Sequence, residues 1–520
     1  MAGPEHTSVS LTDGLRGMKA VVACVLFCLL SALLWWFVPL PVLGPVLGAV
    51  VLAVLFALRF PFVVMLAFVA FSFFRIHEVI PQLNPLRLPQ LLAVGALAVL
   101  LWHTLISKTI RPFWCREFTW LALFFILVTI GALLASNRGE ALAAWNGTYV
   151  KIVTMTFAIA WLMEKPAHFA MATRVFILSG LLVGSVALYN KSAGIGLVEE
   201  TRVTIGRELG SVLGDPNDLA LVLLFPAGFS LASALESRAG KWDRSLGFAG
   251  FIVNLLAIVA TQSRGGLLGI CAVMGIFAYR RIKSKMLLFS LAAMVLLVLF
   301  AVAGISDRSS GGAAEEGIDA SAMGRLYAWE AAWGMALAHP FRGVGLNNFY
   351  YNYYFYSPHW DGLNHAVHST WFNVLSETGF LGFAVFMLML LTTLFHVWRV
   401  ALKLDRSEPY PVAIAINGVA ASMVGFCVSG TFLTQGFTWP VYLQLALAVA
   451  GIRAIEKHVA EKRAEEKTRV EKARVEKARV EKAVTNVSEK PSFTDQSSSY
   501  QANSHSSTSP PPTGDQSHGH

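Results

Sequence analysis

Apolar runs of near-uniform length recur along this chain, and that recurrence limits its fold more than any other feature. A helix needs about 20 apolar residues to cross the hydrocarbon core of a bilayer. Runs of about that length lie near 20–38, 41–58, 60–74, 88–107, 118–135, 148–163 and 172–190. Others lie near 217–235, 246–262, 264–279, 286–304, 379–398, 411–431 and 438–455. The 41–58, 60–74 and 148–163 runs are short or closely spaced, so the pattern predicts 12 to 14 passes. In lipid each segment must satisfy its own backbone hydrogen bonds, so the expected fold is an all-α polytopic membrane protein, a bundle of about 12–14 transmembrane helices. Composition agrees: 14% of the 520 residues are charged and 55% are apolar, whereas soluble domains carry about 25% charged residues. The formal charge of +9 does not point to nucleic acid, because the basic residues are scattered in small groups between the apolar runs. The five cysteines, Cys24, Cys28, Cys115, Cys271 and Cys427, are odd in number and lie mostly in apolar stretches, which excludes a disulfide-stapled secreted fold; they form no Cys-x-x-Cys pattern, so they report on neither zinc nor redox compartment.

Lys and Arg concentrate in alternate loops: Arg16 and Lys19; Arg59; Lys108, Arg111 and Arg116; Lys165 and Arg174; Arg238, Lys241 and Arg244; residues 280–285; then Arg399, Lys403 and Arg406. By the positive-inside rule both termini are expected in the cytoplasm, with a large periplasmic loop near 305–370 that holds only Arg308, Arg325 and Arg342. The expected organisation is a cytoplasmic N-terminus (1–19), a transmembrane domain (20–456) and a cytoplasmic tail (457–520). The first apolar run has no small-x-small cleavage site after it and reads as an uncleaved anchor. In the tail a five-residue unit repeats, as in Glu471-Lys472-Ala473-Arg474-Val475. Five residues advance a helix by about 140°, so the valines spiral and form no apolar stripe. Beyond Pro491 the Ser-, Gln- and Pro-rich sequence reads as disorder. A charge run of this kind is ordinarily a solvated tail; attraction to anionic lipid is the alternative.

Three outward features stand out. Arg207 lies before Gly214-Asp215-Pro216-Asn217-Asp218, where Asp215 or Asn217 can cap the helix that follows and Pro216 suits its first turn. Arg264 sits in a very short turn, Thr261-Gln262-Ser263-Arg264-Gly265-Gly266, between two apolar runs. Arginine at bilayer depth is costly, so it either snorkels to the interface or faces a polar cavity or an anion. In the long loop, Leu326, Trp329, Ala332, Trp333 and Ala336 share a helical face, which predicts a helix lying on the membrane surface. Tyr350, Tyr351, Tyr353, Tyr354, Phe355, Tyr356 and Trp360 follow, as interfacial anchors or, less commonly, platforms for sugar rings.

His365 and His368 close this loop, and Gly379 can end the helix that His368-Ser369-Thr370 opens. A lone histidine is most often structural, but its setting here resembles a known pattern. His368-Ser369, nine residues, Gly379, two residues and Gly382 fit H-[NSQ]-x9-G-x-x-[GTY], which marks the O-antigen ligase superfamily of O-antigen ligases, O-antigen polymerases and protein O-oligosaccharyltransferases. Arg207 to Asn217, Ser263-Arg264-Gly265, Gly324-Arg325 and the stretch from His339-Pro340 to Phe349 resemble further parts of that family, in the same order. The resemblance covers roughly 200–400.

It implies a metal-independent glycosyltransferase without cofactor, acting at the periplasmic face of the bacterial inner membrane. The donor would be an undecaprenyl-diphosphate-linked glycan and the acceptor lipid A–core or another hydroxyl, with membrane lipids as surroundings and no nucleic acid. By carry-over His368 is the catalytic base, Arg207 and Arg264 hold the diphosphate, and Arg325 is a further candidate. The chemistry is consistent: a neutral imidazole can take a hydroxyl proton, and guanidinium forks match phosphate oxygens better than ammonium does. The acceptor stays open between lipid A–core, a growing polymer and a pilin-type protein, with ligation favoured. A lipid-linked-sugar transporter would need internal repeats and ionisable groups near mid-bilayer, and neither is evident in the sequence.

Overall fold

The computed structural model describes residues 43–302 and 320–488. The apolar run near 20–38, Cys24, Cys28, Arg308, the acidic stretch from Ser309 to Glu316 and the tail beyond Pro491 lie outside the described residues. Among the described residues the chain is an all-α polytopic membrane protein. Eight helices are long and apolar enough to cross a bilayer: Leu88–Ile106, Arg116–Leu133, Pro166–Ala193, Pro216–Leu235, Lys241–Ala260, Lys285–Val302, Thr370–Lys403 and Tyr410–Phe432. A ninth is possible in Val46–Arg59 with Pro61–Ser72, which meet at an angle of 105°. Proline at the first position of Pro61–Ser72 removes a backbone donor there, so the two closely spaced runs of the sequence become one sharply bent pair. Three more apolar elements fall short by length or charge: Val150–Leu162, Arg264–Tyr279 and the first part of Trp439–Ser488.

Two helices form the centre. Buried residues make up 78% of the apolar window in both Pro216–Leu235 and Tyr410–Phe432, against 6% in Lys285–Val302, so the first two are core and the last is a lipid-facing rim. Small residues let the central pair approach: a Cβ on Gly228 would lie 3.0 Å from the carbonyl oxygen of Gly418. Such small-residue contacts substitute for a hydrophobic driving force that lipid does not supply.

At one end of this core sit two irregular segments. The first is a two-stranded antiparallel hairpin, pairing Leu197 with Val203 and Val198 with Arg202, followed by a loop to Asp215. The second comprises the helices Ala320–Ala338 and Phe349–Tyr356. The predicted amphipathic helix is therefore present, but its buried face is formed by Ala328, Ala331, Ala332 and Met335, packed with Val344, Phe349, Tyr353 and Val367. Leu326 and Trp333 are exposed instead, because the small alanines are what allow the helix to settle against its neighbours.

Within Thr370–Lys403 the helix that Thr370 opens ends at Gly379, as expected, and a second helix continues across the kink, with Gly379 at φ 70°, ψ −175°. That conformation is essentially restricted to glycine. The break lets the 339–349 loop dock: Phe380 N–H donates to the Pro340 carbonyl (2.7 Å) and Val344 N–H to the Ser376 carbonyl (2.9 Å). Fully buried Asn348 ties the same loop to the neighbouring helix end, accepting from Asn137 N–H (2.7 Å) and Ser136 Oγ (3.0 Å).

The chain divides into two compact units, 1–458 and 459–520. In the second, the described residues are helical to Ser488, and Val470, Val475 and Val480 are all exposed, as a spiralling pentapeptide requires.

Candidate functional site

The His368 backbone has φ 45°, the left-handed region that non-glycine residues seldom enter. Its neighbours hold it there. Val367 is buried in the loop cluster, with its carbonyl accepting from Trp329 Nε1 (3.0 Å). Ser369 caps the following helix through Phe372 N–H, and Thr370 Oγ1 donates to the Leu433 carbonyl (2.8 Å). The His368 N–H donates to Thr434 Oγ1 (3.1 Å). Strain at a side chain so firmly braced is typical of a residue whose direction matters.

The imidazole keeps an accessible face, yet surrounding protein displaces much of its water. That desolvation comes first in holding its pKa below the ordinary histidine value; the nearby Arg325 charge adds to it, while Asp215 acts the other way. The ring is therefore neutral at pH 7 and free to accept a proton. Those same couplings place His368, Arg325 and Asp215 in one electrostatic neighbourhood. Exposed His365 lies a short step away, paired with Asp361 (2.9 Å).

Arg264 and Arg325, both half-buried, line a narrow pocket with Asn217, Ser263, Gly265, Phe432 and Leu433. Arg325 lies over the Phe432 ring, 6.0 Å from its centroid, a cation–π arrangement that limits its motion. The turn before Arg264 is set by Ser263, whose Oγ accepts from Gly266 N–H (3.1 Å) and donates to Asn217 Oδ1 (2.9 Å). Arg264 is thus the first residue of its helix, at the end of a turn only a few residues long.

Asp215 is the cap of the Pro216–Leu235 helix, accepting from Asn217 N–H (2.7 Å) and Asp218 N–H (3.2 Å). Asn217, the other candidate cap, serves a different purpose: its Oδ1 joins Ser263 to Arg202. The Arg202 guanidinium is buried, donating from Nη2 to Asn217 Oδ1 (2.8 Å) and from Nε to the Thr261 carbonyl (3.1 Å). One side chain therefore fixes the hairpin, the Asp215–Asn217 cap and the turn that carries Arg264. The sequence offered one signal for it, a second arginine five residues before Arg207, and the sequence reading passed over it. Gln435, donating to Asp218 Oδ1 (2.7 Å), joins the 430–438 segment to the same cap.

Arg207 stands apart. It is exposed on the single turn Arg207–Leu209 and does not line the pocket, although its backbone touches Gly214, one residue from Asp215. The structure thus brings His368, Arg264 and Arg325 to one locality and leaves Arg207 at its margin.

The sequence model of the O-antigen ligase family matches residues 249–387, a stretch that contains Arg264, Arg325, His368, Gly379 and Gly382. Over that stretch, about a quarter of its length, the chain is similar to the O-antigen ligase family. No curated protein matches the chain. That likeness supports, in broad terms, a membrane glycosyltransferase of the O-antigen ligase/polymerase type with a lipid-linked glycan and an acceptor as partners. Within the superfamily's histidine motif, the structure gives the spacing a reason: His368 precedes a capped helix, and Gly379 is the break on which the 339–349 loop closes.

Proposed function

We propose that this protein transfers a glycan from undecaprenyl diphosphate to a hydroxyl of lipid A–core at the periplasmic face of the bacterial inner membrane. The acceptor oxygen attacks the anomeric carbon, the bond from that carbon to the phosphate oxygen breaks, and the hydroxyl proton passes to the neutral His368 imidazole. The departing undecaprenyl diphosphate takes the bonding electrons, and its growing charge is met by Arg264 and Arg325, with Arg207 reaching in from the rim. Guanidinium forks suit this task because they pair with two phosphate oxygens at once.

The observation that carries the reading is the meeting of a braced, neutral histidine with Arg325 and the Arg264 pocket at one end of the bundle. His368 lies in the loop just before the Thr370–Lys403 helix and Arg264 at a turn about a hundred residues earlier, so their proximity is a product of folding. Asp215, in the same neighbourhood, opposes the positive charge and helps to keep the imidazole basic enough to act.

A strain lacking the protein tests the acceptor. Loss of polymer from lipid A, seen on a gel of surface polysaccharide, supports ligation. Single-repeat products would assign repeat-unit polymerisation instead, and a shifted pilin mobility would assign protein glycosylation.

A further inference from the structure

A second cavity, of about 510 Å³, opens at the other end of the bundle. Arg116, on its wall, starts the helix whose far end meets the 339–349 loop through Arg342 and the Leu134 carbonyl. His396 and Arg399, also on the wall, lie about 25–30 Å beyond the Gly379 break by helical rise, on the side away from His368. The cavity therefore belongs to neither the pocket nor the chemistry described above.

Its walls divide by character. Phe113, Phe395, Val449 and Ile452 form an apolar floor, and Arg116, Arg399 and Arg453 bring three guanidinium groups to it. Arg399 stacks on Phe395 and Arg453 on Phe113, each with its guanidinium carbon 3.9 Å from the ring centroid. Stacking holds both forks in place before any ligand arrives. Glu117 is already engaged by His396 (2.8 Å), and none of the three arginines forms an ion pair among the described residues. Glu456 is the remaining acid on the wall. Three positive groups against one available carboxylate leave a net positive cavity.

The approach to it is apolar. Leu388, Leu391 and Phe395 are exposed on successive turns of the Thr370–Lys403 helix and end at Arg399, and exposed Trp114 stands at the mouth. An apolar stripe that runs along a membrane-spanning helix into a nest of arginines matches an acyl chain joined to a phosphate. Free phosphate would use the arginines and leave the stripe idle.

We propose that this cavity binds the phosphate of an anionic glycerophospholipid between Arg116, Arg399 and Arg453, with an acyl chain along Leu388, Leu391 and Phe395. The site is independent of the transfer reaction, and basic pockets between membrane helices are suited to anionic headgroups. The test uses full-length protein extracted from vesicles of phosphatidylglycerol and phosphatidylcholine in equal amounts, with the retained lipids weighed by native mass spectrometry. The wild type retains phosphatidylglycerol in preference. Combined Arg399→Gln and Arg453→Gln lowers the retained ratio roughly tenfold, the size expected from losing charge-assisted hydrogen bonds. Glu456→Gln, which removes the opposing charge, raises the ratio, a gain that misfolding does not produce. Equal ratios in the wild type and the double variant, or a lower ratio in Glu456→Gln, overturn the site. Displacement of the lipid by excess inorganic phosphate would overturn its assignment to a lipid.

Discussion

Replacing Arg202 with Met should unsettle both the fold and the reaction, although Arg202 does not itself line the pocket and reaches it only through Asn217. Methionine keeps most of the side-chain length and removes the guanidinium. Asn217 Oδ1 and the Thr261 carbonyl then lose donors at 2.8 and 3.1 Å in a buried setting. An acceptor left unpaired in the interior costs about 1–3 kcal/mol; the Thr261 carbonyl loses its guanidinium donor, whereas Asn217 Oδ1 keeps Ser263 Oγ at 2.9 Å, so the two together cost about 2–4 kcal/mol. The Glu199 contact, at 3.5 Å with a third of that side chain exposed, adds little. Recovered desolvation of the guanidinium offsets part of the loss, and a net destabilisation of about 2 kcal/mol is the expected outcome. The catalytic consequence follows from geometry: Thr261 and Asn217 lose their common tie, and the turn that aims Arg264 loosens. Thermal unfolding of the purified protein in detergent reads the first effect. The second is read by turnover of a lipid-linked glycan in proteoliposomes at a temperature where the variant is folded. Arg202→Lys, which can reach one acceptor but not both, should fall between. Wild-type melting and wild-type turnover in Arg202→Met would refute the claim that this side chain organises the site.

Four other outcomes are expected. Gly379→Ala should destabilise by about 3 kcal/mol or more, because φ of 70° is strained for alanine and the new Cβ would lie 2.5 Å from the Pro340 carbonyl oxygen; an unchanged melting profile would contradict the break described at that position. The transfer rate should be flat near neutral pH and fall on the acid side, through a midpoint below the usual histidine value, because protonation removes the base and desolvation holds the His368 pKa down. Arg325→Gln removes one of the charges that lower that pKa, so the acid limb should move to higher pH in a rate–pH profile. Arg264→Lys and Arg207→Lys should each lose most of their activity in the same assay, since a point charge does not reproduce a fork; full activity in either would favour plain snorkelling.

Much of this architecture was legible in the sequence because membrane spans are written locally. The runs from 88–107 to 411–431 correspond to helices, and the short turn before Arg264 is where the two apolar runs require it. Asp215 and Pro216 read correctly as a helix start, since capping chemistry is also local. What escaped reading depends on partners distant in the chain. Arg202 is buried only because Thr261 and Asn217 fold against it. Gly379 ends the short helix as its sequence position suggests, but the docking of the 339–349 loop against that ending depends on residues distant in the chain. The Ala320–Ala338 helix was read as an amphipathic surface helix, and its packing of Ala328, Ala331, Ala332 and Met335 against Val344, Phe349, Tyr353 and Val367 depends on those distant neighbours. The bend at Pro61 shows the same limit, since two adjoining apolar runs carry no mark of the angle between them.

The central claim is that the His368 imidazole takes the acceptor proton. Its most direct measurement is single-turnover transfer from an undecaprenyl-diphosphate-linked glycan by His368→Ala in proteoliposomes, alongside the variant's melting curve and membrane level. Transfer should drop at least about 100-fold, the usual contribution of a general base, with melting and membrane level at wild-type values. Wild-type turnover in a folded His368→Ala protein would contradict the account.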